Sequence, residues 1–115
     1  MQTKQTKIFT IEDWTNDDCL MVQNTFEIIE GRYTLLLLAA FGLEGEMSFG
    51  RLKKELCINS KTLSYRLRRL ENAGIVTNRR VYEGKVEKSY YSLNKASDEL
   101  LELLKAFRAY SKALQ

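Results

Sequence analysis

The sequence predicts a mainly α-helical domain with one small β-hairpin. Apolar residues recur at helical spacing through most of the chain, and near residue 80 the pattern changes to two strand-rich segments, IVTNRRVY and KVEKSYYSL, around EG. At 115 residues and 44% hydrophobic content, the chain has the length of one domain and enough apolar residues for one modest core.

Residues 1–15 show no regular period and are predicted to be a loose arm. Asn16 precedes two acidic residues at a predicted helix start, where a capping side chain and negative charge are both favourable. The apolar stripe of this first helix is Val22, Thr25, Phe26, Ile29 and Tyr33, and Gly31 is expected to end or bend it. The second helix, YTLLLLAAF, is apolar on nearly every side, so we expect it at the buried centre of the domain.

Two short helices separated by the turn CINS follow. Ser48 is a candidate N-cap for the third helix, and either Asn59 or Ser60 can cap the fourth. The third helix has one apolar face of Phe49, Leu52 and Leu56, and the fourth has a seam of Leu63, Leu67 and Leu70. Gly74 is the expected left-handed stop of the fourth helix.

The hairpin is predicted with EG as its two-residue loop. In that register Arg80 faces Glu87, which is favourable, and Arg79 faces Lys88, which is unfavourable unless an anion lies beside them. Asn94 then caps a last helix whose apolar residues keep helical spacing: Leu100, Leu103, Leu104, Phe107, Tyr110 and Leu114.

Three helices, a hairpin and a further helix are the element order of a winged helix-turn-helix domain, here residues 16–95. The fourth helix, about 60–73, would enter the major groove of double-stranded DNA, and the wing, about 75–93, would lie on the adjacent backbone or minor groove. Turning 100° per residue places the polar side chains of this helix opposite its leucine seam. The candidate DNA-binding residues are Ser60, Lys61, Thr62, Tyr65, Arg68, Arg69, Arg79, Lys85 and Lys88. Arg66 falls near the edge of the buried face, so an ion pair to an acid such as Glu55 and a DNA contact are both open.

Charge is strongly segregated along the chain. Residues 50–95 contain twelve basic and four acidic residues, a net charge of +8, whereas the remainder has a net charge of −5. A basic segment beside an acidic one indicates a surface for a polyanion rather than an ordinary solvated surface.

Several function classes are disfavoured. The chain contains no His, the commonest general base, and no GxSxG, P-loop or GxGxxG segment, so we predict neither an enzyme nor a cofactor. Two cysteines without His cannot complete a four-ligand zinc site, so no metal is expected. The longest apolar run, residues 35–41, is too short to span a membrane, and the N-terminus does not read as a secretory signal, which predicts a cytoplasmic protein.

The segments IIEGRYTLLLLAA and SFGRLKKELCINSKTLSYRLRRLENAGIVTNRRVY resemble the HxlR-type group of winged-helix regulators. Matching positions include Ile58, Lys61, Leu63, Ser64, Arg66, Leu67, Leu70, Glu71, Gly74 and Val76. The chain differs at the wing tip, where EGK replaces a proline-rich segment, and at Asn59, which stands in place of Ser. Because ArsR-like and MarR-like winged helices share part of this block, another subfamily of regulator is an alternative.

The resemblance implies a transcriptional regulator that binds DNA as a homodimer, with the first and last helices at the dimer interface and residues 96–115 as a dimerisation helix. A two-fold dimer would suit a palindromic operator. From the residues alone, the many apolar side chains of the last helix either cover a partner or complete the domain's own core. A winged-helix module for protein–protein contact is the alternative function; its wing would usually be more apolar.

The resemblance also implies that a redox-sensing Cys can stand just before the first helix. Cys19 lies near that place, one residue too far upstream when Gly31 and Tyr33 are aligned. A helix N-terminus favours a thiolate, but the preceding acidic pair disfavours it. Cys57, after the third helix, is expected to be a small buried apolar residue.

Overall fold

The computed structural model describes residues 14–115, so residues 1–13 of the predicted arm lie outside the described residues. The helices are α1 (Asn16–Ile29), α2 (Thr34–Glu44), α3 (Phe49–Leu56), α4 (Ser60–Asn72) and α5 (Asp98–Ala113). The strands are β1 (Met47–Ser48), β2 (Val76–Glu83) and β3 (Val86–Leu93), and a 3₁₀ turn, Lys95–Ser97, precedes α5. The predicted class, mainly α-helical with a small β-hairpin in a winged helix-turn-helix arrangement, is confirmed.

Helix α1 begins one residue earlier than its predicted cap implies. Thr15, not Asn16, is the N-cap: its hydroxyl accepts a hydrogen bond from the backbone N–H of Asp18, whose carboxylate accepts one from the N–H of Thr15. This reciprocal capping box satisfies two donors that a helix start leaves open. The helix ends at Ile29, and Tyr33, predicted in its stripe, instead precedes α2 in a left-handed conformation with φ 69°.

The prediction that α2 is buried all round is wrong on one side. Thr34, Leu37, Leu38 and Phe41 are buried, and Leu37 and Phe41 belong to the main core. The opposite face exposes Leu35, Leu36 and Leu43, the last with 84% of its surface accessible. The chain's own core therefore covers one side of α2, and the side with Leu35, Leu36 and Leu43 is left largely exposed.

Helices α3 and α4 follow the sequence closely. Ser48 caps α3 by accepting from the N–H of Arg51, and Asn59 rather than Ser60 caps α4 by accepting from the N–H of Thr62. The leucine seam of α4 is buried as predicted: Leu63, Leu67 and Leu70. Gly74 has φ +79°, the left-handed stop expected of it.

Cys57 is exposed, which contradicts its predicted burial. It is the C-cap of α3 in a left-handed conformation, φ 55°, so the chain leaves the helix axis at this residue. The next residue, Ile58, enters the core instead.

The hairpin loop lies one residue later than predicted, which moves the partner of each β2 residue two positions along β3. The two-residue loop is Gly84–Lys85, so Arg79 faces Tyr90 and Arg80 faces Ser89. Gly84 has φ +66°, and Gly at the first of two loop positions is the pattern of a type II′ turn, which fixes the loop one residue later. The two-residue strand β1, which was not predicted, pairs with β3, giving an antiparallel sheet of order β1-β3-β2.

Helix α5 extends from the domain. Asn94 caps the preceding 3₁₀ turn rather than α5 itself, and Ser97 ties the junction to the domain by donating to the carbonyl of Ile75 at 3.0 Å. No residue of α5 is buried. The described chain measures 65 × 31 × 23 Å with a radius of gyration of 17.7 Å, against about 13 Å for a compact domain of roughly 100 residues. None of the helices in residues 14–115 has the length and apolarity to cross a membrane.

Candidate nucleic-acid interface

The side of α4 opposite its leucine seam is polar, cationic and exposed to solvent. Its exposed candidate residues are Ser60, Lys61, Tyr65, Arg68 and Arg69. Within residues 14–115, no carboxylate forms an ion pair with Lys61, Arg68 or Arg69. Thr62 is half-buried, and its backbone N–H is already bound by the Asn59 side chain at 2.9 Å. The buried seam fixes the helix while its positive charges stay available to an anion.

Two of the three wing candidates are paired with acids of the same chain. Arg79 donates to both carboxylate oxygens of Glu46, at 3.0 and 2.7 Å, and its guanidinium carbon lies 4.9 Å from the ring centre of Tyr90. The pair lowers the pKa of the Glu46 carboxyl. Lys88 forms an ion pair with Glu83 at 2.7 Å, which raises the pKa of the Lys88 ammonium. These two cations reach a phosphate only by leaving a carboxylate.

The predicted cross-strand charge pairs do not form, because the register is shifted. Arg79 and Lys88 are not opposite each other, so the predicted repulsion between them is wrong. Glu87 faces Tyr82 rather than Arg80 and accepts a hydrogen bond from the Tyr82 hydroxyl. Lys85 occupies the loop, is exposed, and has no ion pair within residues 14–115. Of the three wing candidates, it is the one without an acidic partner in the described residues.

For Arg66 the sequence left two interpretations open, an ion pair to an acid such as Glu55 and a DNA contact. The ion pair to Glu55 does not form. Glu55 binds Arg51 instead, which also binds Glu44. The Nε of Arg66 is buried and has no hydrogen-bond partner among the described residues. Its side chain therefore points back towards the domain rather than out with its neighbours on α4.

Sequence reasoning missed Glu46 as a residue of the wing. Glu46 stands 33 positions before Arg79, between the predicted second helix and the candidate cap Ser48, where no element was predicted. Glu46 is brought to the wing by strand β1, which begins at the next residue and pairs with β3. Two residues are too few to show a strand period, so no local pattern reveals the contact.

Cys19 lies in the first turns of α1, half-buried and free, so its redox role stays a prediction. Cys57 is also free. In the part of the chain that the structure describes, no cluster of three or more Cys, Asp or Glu residues could hold a metal ion.

Residues 28–115 match the HxlR-like helix-turn-helix family. Among solved structures, the chain is similar to ytcD, assigned as an HTH-type transcriptional regulator, with 26% identity and a TM-score of 0.71 over 81% of this chain and 94% of that one. It resembles in fold a protein assigned to the MarR family of transcriptional regulators from Enterococcus faecalis V583 (TM-score 0.75, 19% identity, 92% and 94% covered). It also resembles the reduced form of the transcriptional regulator YodB from B. subtilis (TM-score 0.72, 22% identity, 81% and 90% covered). The comparison with curated proteins found no match.

These relatives are transcriptional regulators, which confirms the prediction that the chain is not an enzyme. The matched region includes the whole helix-turn-helix, the wing and α5. It is also the family that the segments IIEGRYTLLLLAA and SFGRLKKEL indicated. This chain belongs to the HxlR-like helix-turn-helix family.

Proposed function

We propose that this chain is a cytoplasmic transcriptional regulator that binds double-stranded DNA as a homodimer. Helix α4 enters the major groove, and the β2–β3 wing contacts the adjacent backbone or minor groove. The observation that carries the proposal is the exposed cationic face of α4, built on a buried leucine seam. Family membership supports DNA binding by this element.

Exposed apolar side chains on three helices support the homodimer. They are Leu20, Met21 and Phe26 of α1, Leu35, Leu36 and Leu43 of α2, Leu103, Phe107 and Tyr110 of α5, and Leu114 directly after α5. Several large apolar residues exposed together usually mark a surface that a partner covers. Ile29 was predicted in the partner-facing stripe of α1, but it is buried in its own chain, so it leaves that surface. A two-fold dimer presents two copies of α4, which suits a palindromic operator.

The salt dependence of binding tests this function. Each subunit offers four interface cations without an acidic partner in the described chain: Lys61, Arg68, Arg69 and Lys85. If a dimer uses all of them on phosphates, log Kd should change with log salt with a slope near 7, from about 0.9 per phosphate neutralised. Fluorescence anisotropy with a duplex selected from a random pool measures this slope. A slope near zero would favour the protein–protein module instead.

Removing the acid that holds Arg79 should strengthen DNA binding. In Glu46→Gln the two charge-assisted hydrogen bonds of Arg79 are weakened, so its guanidinium can reach a phosphate. We expect tighter binding at low salt and a salt slope steeper by about 0.9 per half-site. The matched control is Glu102→Gln, which removes the same charge from an ion pair with Lys105 on α5. Weaker binding by Glu46→Gln would mean that the ion pair shapes the wing for DNA.

A further inference from the structure

The side chain of Arg66 extends from α4 to the turn that precedes α2. Its side chain is partly buried, and its Nε is enclosed without a hydrogen-bond partner among the described residues. A buried donor without an acceptor is unfavourable, so other contacts must hold the guanidinium in place. Two such contacts are evident, one with a glycine and one with an aromatic ring.

Gly31 supplies the space that the Arg66 guanidinium fills. A Cβ added at Gly31 would lie 2.5 Å from the Nη1 of Arg66, closer than atoms in contact can approach, and 3.2 Å from its Cζ. The backbone of Gly31 is not left-handed, so its conformation does not require glycine. The Arg66 guanidinium is therefore the nearest obstacle to a larger residue at 31, and the Thr34 hydroxyl, 3.1 Å from the added Cβ, is the next.

The same guanidinium lies against a residue of the candidate DNA interface. The Cζ of Arg66 is 5.3 Å from the ring centre of Tyr65, and the Cζ of Arg69 is 5.9 Å from the same centre. A guanidinium within about 6 Å of a ring attracts it electrostatically. Tyr65 is 50% exposed, so little else in the chain restrains its ring. The contacts therefore form a series from Gly31 through Arg66 and Tyr65 to Arg69.

We propose that Arg66 is a positioning residue for sequence discrimination: seated against Gly31, it orients the Tyr65 ring, and through that ring the Arg69 guanidinium, on the DNA-facing side of α4. This inference rests on the proposed DNA-binding function. Arg66 itself points away from the groove, so its effect on base preference passes through Tyr65. Phosphate attraction by Lys61 and Lys85 does not depend on it.

Gly31→Ala tests the proposal by displacing the guanidinium without removing any charge. The group that must move furthest is the end of a flexible side chain, and the Thr34 hydroxyl must give by only a few tenths of an ångström, so we expect the protein to fold. Affinity for a duplex selected from a random pool should fall about tenfold, within the range of a lost base contact. Affinity for a scrambled duplex of equal length, and the salt slope, should stay within about twofold. The matched control is Gly50→Ala, where an added Cβ meets nothing within 4 Å.

A double-mutant cycle separates positioning from a general structural defect. Tyr65→Ala should lose the same preference, and adding Gly31→Ala to it should cost no further discrimination. Arg66→Lys keeps the charge but loses the planar group, so it should behave like Gly31→Ala. If Gly31→Ala lowers the melting temperature markedly, Arg66→Lys is the variant that tests the proposal. Additive losses in the cycle, or equal losses on the selected and scrambled duplexes, would overturn the proposal.

Failure of the proposal is distinguishable from failure of the proposed function. If the wild type shows neither a salt-dependent affinity nor a preferred duplex, the DNA-binding function is wrong. If the wild type prefers one duplex and both Gly31→Ala and Arg66→Lys keep that preference, only the role of Arg66 is wrong.

Discussion

Phe107→Asp is expected to dissociate the proposed homodimer into monomers and to abolish tight DNA binding. The ring centres of Phe107 and Phe26 of the same chain are 6.5 Å apart, yet Phe107 is still 55% exposed. One face of this aromatic pair is therefore left for a partner. Burying a Phe or Leu contributes about 1.5–3 kcal/mol, and a two-fold axis makes each contact occur twice. A carboxylate at this position would therefore oppose association at two sites.

The loss of DNA affinity should be larger than the local change suggests. A monomer presents one copy of α4 and of the wing, and so makes about half of the phosphate and base contacts. The core of the helix-turn-helix contains no residue of α5, so the monomer should keep its own fold. Sedimentation velocity at micromolar concentration measures the association, and circular dichroism checks the fold.

Ala109→Asp is the matched control for Phe107→Asp. Ala109 is exposed and lies about 200° around α5 from Phe107, away from the apolar face. The Ala109→Asp substitution introduces the same charge and should leave both the dimer and its DNA affinity intact. A wild type that sediments as a monomer would show that the exposed side of α5 has another role. A Phe107→Asp variant that stays a tight dimer would place the interface elsewhere.

The helix-turn-helix was predictable because its signals are local. The leucine seam of α4, the caps at Ser48 and Asn59, and the stop at Gly74 all lie within one or two helical turns of what they determine. The exposed face follows from the seam by helical geometry alone. Most of the candidate site on α4 could therefore be placed from the sequence.

The wing was less predictable because its geometry depends on one turn and on distant residues. A choice between Glu83–Gly84 and Gly84–Lys85 as the loop changes every cross-strand pair, and both contain the same glycine. The partner of Arg79 arrives from before α3, so no spacing in the hairpin reveals it. Sequence identified the wing cations, but it could not show which of them are neutralised.

Burial of α2 was mispredicted because an apolar sequence does not say whose atoms cover it. Leu35, Leu36 and Leu43 would complete a core in a larger domain, but this chain has no element over them in the described residues. The same ambiguity was open for α5. Its apolar stripe is half-buried at Leu100 and Leu104 and exposed at Leu103, Phe107, Tyr110 and Leu114. In a proposed homodimer, hydrophobic patterning predicts total burial and not the burial within one subunit.

Arg68→Ala should cause the largest loss of sequence-specific binding among single changes on α4. Arg68 lies 140° from the leucine seam, close to the centre of the exposed face, and has no ion pair within the described chain. An Arg that binds a base edge with two hydrogen bonds contributes about 1–3 kcal/mol of discrimination, and both half-sites of a dimer lose it together. Unfolding free energy should change by less than about 0.5 kcal/mol, because an exposed side chain without a partner is removed.

Binding to the selected duplex, compared with a scrambled one, measures this loss, and relaxed preference should appear at one symmetry-related pair of positions. Arg108→Ala is the matched control, since it removes the same side chain from the exposed surface of α5. Equal weakening on both duplexes would make Arg68 a phosphate contact rather than a base contact. A residue on the exposed side of α4 has no packing to lose, so the melting temperature should hardly change. A marked fall would show that Arg68 supports the fold.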